Sequence, residues 1–470
     1  MYGPADPTLW LIRKVGYWES RVLGYHAGRY GHNICNHLTQ INTCDINQGL
    51  FKQAVVAVVH NEPNLRCDVR VEADGSLGFT PATDFSEIFE YLDYSSRAPQ
   101  GYQAGWDIAE QRTNKVFSFG VGKPLYRCTL LKLADCYLLM NQYNHAVADG
   151  TSGQRITGGI LAQYDSLIQG NGVIVEPKQP LPSTEDLVDD VTELDQPIIE
   201  DMLVKWRDRA RNFKHLVPVD LAEVARNDTP GLQINGNLHR EGSVEGFSAL
   251  LARCRKEDIT IGAFSIAATL LAEAALYVRS KGGDVVIVIP PVVSDMLVNL
   301  RNRFNPPIGE TILNFCISEL KLDAVITNET TVWSLAKEMK LLMNKHMERK
   351  EHLWYVPAKE RFETEDKALV ESVKIENVGD CAVSNMTTYM FPTEYSWGKI
   401  SSMFILGSYW TPPFSNYFFL YQTVNSKICY NMCYNDGPNN RVTATNMLEI
   451  ITGLMEGTGD GGDDTIADLI

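Results

Sequence analysis

The stretch Asn144-His145-Ala146-Val147-Ala148-Asp149-Gly150 holds the residue types and spacing that could do chemistry. An imidazole titrates near neutrality, so a positioned histidine can take a proton from a hydroxyl or amine while that group attacks an electrophile. Asp149, four residues on, has two possible tasks. It could hydrogen-bond the His145 ring and fix its tautomer, or turn away and hold the loop through an arginine; the spacing leaves both open. Gly150 permits backbone angles that a residue with a Cβ resists, which suits a tight turn. Among nine histidines, His145 alone has an acid four residues on followed at once by glycine. That glycine narrows the chance of coincidence roughly tenfold, given a usual glycine frequency of about 7%.

Two elements must position these residues. Cys136 to Tyr143 is short, apolar and aromatic, the pattern of a buried strand. Beyond the motif, Thr151 or Ser152 can cap a helix whose apolar residues Ile156, Ile160, Tyr164, Leu167 and Ile168 recur at helical spacing before Gly170 stops it. The motif is therefore expected on a strand-to-helix turn, where side chains are displayed on a loop anchored at both ends.

At 470 residues the chain is long enough for two or three domains with cores that need neither disulfides nor metal. A formal charge of −16 argues against nucleic acid or an anionic membrane as a general partner, because the summed field repels phosphates. The N-terminus lacks the basic start and apolar run of a secretory signal, and Ile261 to Leu276 falls short of the ~20 residues of a membrane span, so it is read as a core helix. The ten cysteines are scattered without a Cys-x-x-Cys pair. They are expected as reduced, buried thiols of a cytoplasmic protein, and no metal site is expected.

Along the chain, Gly49 to His60 reads as a helix feeding a strand, Cys67 to Val71, with a hairpin turn at Asp74-Gly75. Gly122 to Leu133 and Cys136 to Tyr143 read as consecutive strands. After Gly170, prolines 177, 180, 182 and 197 mix with acidic residues, the composition of a surface connection. The organisation read from this is a first lobe over 1–175, an acidic Pro-rich linker over 176–200 and a second lobe over 201–470. In the second lobe a basic helix is expected from Asp201 to Phe213, a long helix from Thr260 to Val278, a central strand over Asp284 to Ile289 and an amphipathic helix from Thr330 to His352, with His346 and His352 on its surface. Strands follow at Ile375 to Asn385, Met403 to Ser408, Asn416 to Val424 and Lys427 to Tyr434. A last helix, Arg441 to Met455, runs into a frayed Gly and Asp tail.

With Pro124-Leu-Tyr-Arg127 before it and Ser152 after it, the motif resembles that of the His-x-x-x-Asp-Gly acyltransferase superfamily. This group includes chloramphenicol acetyltransferase-like enzymes, BAHD acyltransferases, alcohol and trichothecene acetyltransferases and peptide-synthetase condensation domains. Asn299-Leu-Arg301-Asn-Arg303-Phe-Asn-Pro-Pro307 is similar to the BAHD pattern of paired arginines before Asn-Pro-Pro, and Glu394-Tyr-Ser-Trp397-Gly398-Lys399 stands where BAHD enzymes carry Asp-Phe-Gly-Trp-Gly-Lys. The chain departs from the pattern at Asn144, where condensation domains have a second histidine, and at Glu394, Tyr395 and Ser396. It is identified as a divergent small-molecule acyltransferase.

The resemblance implies an α/β fold of two chloramphenicol acetyltransferase-like lobes, each a mixed sheet flanked by helices, with an active-site tunnel between them. It implies that His145 is the general base, that no acyl-enzyme forms, and that Asp149 turns from the substrate to pair with Arg301 or Arg303. These two arginines are expected on one strand face, with Arg301 favoured. Ser384, Asn385 and Thr387 become candidate oxyanion or substrate contacts, and Trp397 and Gly398 structural residues. The expected partners are acyl-CoA as co-substrate, with no permanently bound cofactor, and a small alcohol or amine acceptor, the enzyme acting as a monomer in secondary metabolism. The competing readings are a condensation-type enzyme taking its acyl group from a carrier protein and a non-catalytic binder that keeps the fold.

Overall fold

The computed structural model describes residues 12–23, 33–43, 45–72, 74–96, 101–212, 216, 235–283, 292–310, 312–372, 381–408, 417–435, 441–457 and 465–469. The chain forms two compact units. The first is Met1–Val188 with Phe304–Cys316 and Thr388–Tyr409, the second Asp189–Arg303, Ile317–Thr387 and Trp410–Ile470. The cut at 188 falls inside the stretch read as a linker, but the later chain is not one contiguous lobe, because two of its segments return to the first unit. Hydrogen bonding explains the larger return: Gly398–Ser408 pairs antiparallel with Ile34–Asn42 and becomes an inner strand of the first sheet. The Pro-rich segment is not a free connection either. The Lys178 amide donates to Asn61 O at 2.9 Å and Arg13 Nε donates to Leu181 O at 2.8 Å, so it lies along the first unit.

In the first unit a six-stranded mixed sheet runs in the order Glu394–Tyr395, Gly398–Ser408, Ile34–Asn42, Tyr137–Asn144, Tyr126–Lys132, Phe89–Asp93. Among the described residues only the last two strands of that order, Tyr126–Lys132 and Phe89–Asp93, pair in parallel. Helices Gln48–Asn61, Gly101–Thr113 and Gly150–Ile168 accompany it. The expected strand Cys67–Val71 joins Leu77–Pro81 through the turn at Asp74-Gly75, where Gly75 takes φ +82°, the left-handed region that favours glycine. Arg13–Lys14 completes this small sheet.

The second unit has its own mixed six-stranded sheet: Ile317–Ala324, Val292–Asn299, Cys381–Thr388, Tyr417–Val424, Lys427–Asn435, Asn235–Glu241. Its core is built round the helix Ile261–Ser280, capped by the Thr260 hydroxyl on Ala263 N. This helix is long and apolar enough for a membrane span, yet it is buried on all faces within the unit from Gly262 to Leu276, which is the place of a core helix. The strand expected over Asp284 to Ile289 lies outside the described residues.

Two readings in this unit are corrected. The helix expected to run to His352 ends at Glu348, Lys350 takes φ +58°, and a new helix spans Glu351–Glu365. The break folds both histidines inward: His346 and His352 are 6% and 4% exposed, His346 Nδ1 meeting the Glu351 carboxylate. The second concerns the C-terminal tail, of which 458–464 lies outside the described residues. Ile466–Leu469 is not frayed but a short helix, because the side chain of Ile466 is buried in the core of this unit.

Candidate functional site

Tyr137–Asn144 is buried along its whole length, as expected of an inner strand covered on both faces, and its polar Asn141 and Gln142 find partners, Asn141 Oδ1 accepting from Tyr126 OH and Gln142 Nε2 donating to Lys115 O. The turn over His145 to Val147 follows, and the helix Gly150–Ile168 begins. The cap is neither Thr151 nor Ser152. Asp149 itself caps the helix, its side chain accepting from Ser152 N at 2.8 Å. A carboxylate at this place satisfies an otherwise unpaired helix N–H and faces the positive end of the helix dipole. Gly150 is the first helical residue and has no positive φ, so a left-handed turn is not what places it there.

The His145 amide donates to Asn33 O at 2.7 Å, and ring Nδ1 lies 3.0 Å from Ala148 O. A carbonyl can only accept, so Nδ1 carries the hydrogen of the neutral ring and Nε2 carries the lone pair. Among the described residues Nε2 has no hydrogen-bond partner. The ring is half-buried while Ala146, Val147 and Ala148 are closed off. The Phe315 ring meets it edge to face at 5.3 Å and 84°. Burial lowers the imidazole's pKa below its usual 6.5, opposed by the charge of Asp149. The result is a neutral base at pH 7 with an open lone pair.

Asp149 is fully buried. Besides capping the helix, it accepts from Cys316 N at 2.9 Å through Oδ2. His145 Nδ1 is thus oriented by a backbone carbonyl, and these two carboxylate bonds hold loop backbone. Other bonds fix the same loop. Asn64 Nδ2 donates to Val147 O at 3.2 Å and to Asn314 Oδ1 at 3.0 Å. Ser152 Oγ bridges the Asn314 backbone, donating to its O at 2.8 Å and accepting from its N at 3.0 Å. Tyr143 OH donates to Asp149 O at 2.9 Å. Behind Tyr143 lies His37, fully buried and stacked on it at 5.9 Å, its pKa pushed down to about 3 by burial despite Asp149.

Asn64, Asn314 and Phe315 did not stand out as site residues in the sequence. The only signal was an asparagine inside the apolar run Leu313-Asn314-Phe315, next to the paired arginines. The arginines themselves belong to the second unit, and the shared strand face is corrected: their strand ends at Asn299, both sit in the following turn, and Arg301 is buried whereas Arg303 is exposed. Arg301 N donates to Asn299 Oδ1 at 3.0 Å. Ser384, Asn385 and Thr387 also lie in the second unit, on Cys381–Thr388. There Asn385 Oδ1 accepts from Thr387 N at 2.8 Å and Thr387 takes φ +58°, so both are engaged in a local turn.

Trp397 and Gly398 are in the first unit. Trp397 meets Tyr164 of the motif helix edge to face at 4.7 Å and accepts a hydrogen bond from Thr43. A Cβ at Gly398 would come within 3.3 Å of Asn42 O, so this glycine permits close strand packing.

No protein-family model and no curated protein matches the chain. Solved structures do. The chain is similar to a trichothecene 15-O-acetyltransferase from Fusarium sporotrichioides, at TM-score 0.71 and 11% identity, covering 97% of this chain and 100% of that one. It is similar to polyketide synthase associated protein 5 from Mycobacterium tuberculosis, at TM-score 0.69 and 15% identity over 96% and 98%. It is similar to the starter condensation domain of rhizomide synthetase, solved in complex with C8-CoA, at TM-score 0.64 and 16% identity over 97% and 96%. Two mixed-sheet units flanked by helices, matched over nearly the whole length of each neighbour, give this chain the fold shared by that acetyltransferase and the condensation domain.

Proposed function

We propose that this chain is an acyltransferase that moves an acyl group from acyl-CoA to a hydroxyl or amine of a small molecule. One observation carries the reading: His145 Nδ1–H is spent on Ala148 O, leaving Nε2 as an unpartnered basic lone pair on a half-buried, neutral ring. In the proposed step Nε2 takes the acceptor's proton as its oxygen or nitrogen bonds to the thioester carbonyl carbon. Collapse of the tetrahedral adduct breaks the carbon–sulfur bond, and the imidazolium returns the proton to the departing thiolate. No bond to the protein forms. Positioning of the two substrates and general base catalysis together supply the rate, the base about 10²–10⁴-fold.

Asp149 acts in this reading as a loop-holding residue: it secures the turn that presents the ring and handles no proton. Ser384, Asn385 and Thr387 stay as candidate contacts for the oxyanion, each open to single substitution. The neighbour solved with C8-CoA favours a CoA thioester as donor, while the condensation domains among the neighbours keep a carrier-bound thioester as the second reading.

The test is release of free CoA thiol by the purified full chain with acyl-CoAs of increasing chain length and a panel of hydroxyl and amine acceptors. Turnover that drops at least about a hundredfold in His145→Ala, with unfolding unchanged, is the expected result. Turnover only with a carrier-loaded acyl group selects the second reading. Equal turnover in His145→Ala sinks both.

A further inference from the structure

The first unit contains a second built feature that acyl transfer does not use. A cleft of about 350 Å³ is lined by Glu87, Lys115, Phe117, Val121, Lys123 and Arg127, with Val116, Ser118, Pro124 and Tyr126 completing it. In a chain of net charge −16, three cations around one cavity stand out.

Their places are fixed in advance. One wall is the loop 117–124, in which Gly120 and Gly122 take φ +69° and +75°. Asp68, 2% exposed, pins that loop: Oδ1 accepts from Gly120 N at 3.0 Å and Oδ2 from Gly122 N at 2.7 Å. The Arg127 guanidinium lies 4.3 Å over the Phe117 ring and donates to Lys115 O at 3.3 Å and Val116 O at 3.2 Å. Its remaining donors and its charge face Glu87, 4.0 Å away, which also pairs with Lys123. The Lys115 ammonium has no ion pair or hydrogen bond among the described residues. Burial and the nearby Arg127 charge lower its pKa, as expected where cations crowd without enough counter-charge.

We propose that this cleft binds a phosphomonoester with an apolar body. Three cations in the lining outnumber their carboxylates, Glu87 in the lining and Asp84 at 3.9 Å from Lys123, which leaves the cleft net positive, the complement of a phosphate, and Arg and Lys together are the donors that phosphate oxygens take. Phe117, Val121 and Pro124 supply the apolar side. A preorganised cleft loses little ordering entropy on binding, which is why its pinned loop favours a ligand over a chance concavity. The cleft's strand is also joined to the motif: Asn144 N, one residue before His145, donates to Leu125 O at 3.0 Å.

The experiment uses the full chain and does not depend on acyl transfer. Phenyl phosphate, inorganic phosphate and benzoate are titrated by calorimetry at low and high salt. Saturable binding of phenyl phosphate, tighter than of either fragment, is expected. Lys115→Glu, at an exposed side chain whose ammonium has no partner among the described residues, should weaken it by about tenfold or more, and Glu87→Gln should tighten it about threefold by removing the competing carboxylate. Opposite signs from two folded variants cannot come from unfolding. Absence of saturation, or identical affinity in Lys115→Glu and the wild type, overturns the proposal.

Discussion

The two units contain the same local construction put to different use. In the first, the hairpin Tyr126–Lys132 and Tyr137–Asn144 leads into the helix Gly150–Ile168. In the second, the hairpin Tyr417–Val424 and Lys427–Asn435 precedes the helix Arg441–Glu456. Both closing strands sit inside their sheets and are buried. The joint of the first reads His-Ala-Val-Ala-Asp; residues 436–440 of the second read Asp-Gly-Pro-Asn-Asn, with no imidazole. In the second copy Tyr430 OH is turned to Glu456 of its own helix, and the pair packs a core. The first instead receives a segment from far along the chain, Asn314 to Cys316, which bonds Asp149, Ser152 and Asn64. A hairpin followed by a helix is therefore a scaffold. What distinguishes the candidate site is a titratable side chain at the joint and outside segments of chain that hold it still.

The comparison can be broken at the joint. His145→Ala should remove about 10²–10⁴ of acyl transfer with no change in thermal unfolding, measured by thiol release and calorimetry; a stability loss in its place would make the first joint structural like the second. Asp149→Ala should cost about 2–4 kcal/mol, since the cap and the buried partner of Cys316 N are both lost, read as a lower denaturant midpoint with an unchanged slope. Gly153→Ala should destabilise by about 1–3 kcal/mol, because the added carbon runs into the His37 ring and Tyr143 OH; a neutral result would mean that His37 does not back the loop.

pH separates His145 from His37. His145 is held neutral below the usual 6.5, so kcat/KM should be flat near pH 7 and fall only in more acid solution. His37 titrates near 3 when folded against 6.5 when free. The unfolded chain therefore binds the extra proton between those values, and stability should decline as pH drops through that window. His37→Phe should flatten the decline in pH-dependent melts. The smallest effect is expected at Val442, 69% exposed in the first turn of the second helix: Val442→Ala should leave activity and stability within about 0.5 kcal/mol, and a larger change would mean that this copy also carries a function.

Much of the local structure was legible in the residues. Alternation and apolar runs marked Cys67–Val71 and the strand before His145, and Thr260 marked the start of the core helix. The motif's own spacing singled out His145 as the candidate. The cap was misjudged because Asp149, Thr151 and Ser152 are all acceptable cap residues, and only the backbone path chooses among them. His346 and His352 looked exposed because a helix was extended through Lys350. The left-handed break there is a single residue with no glycine to announce it.

The sequence by itself determined the elements next to the site and the imidazole on offer, because those depend on neighbours within a few residues. Tertiary structure decided the rest: which His145 nitrogen is free, what Asp149 holds, and that Phe304–Cys316 and Thr388–Tyr409 belong to the first unit. The first rests on the turn that brings Ala148 O to the His145 ring, the others on hydrogen bonds between residues more than 150 positions apart, as in Asp149 with Cys316 N and Gly398–Ser408 with Ile34–Asn42. No local pattern encodes such pairings; they form when distant strands and turns meet and bury their polar groups together.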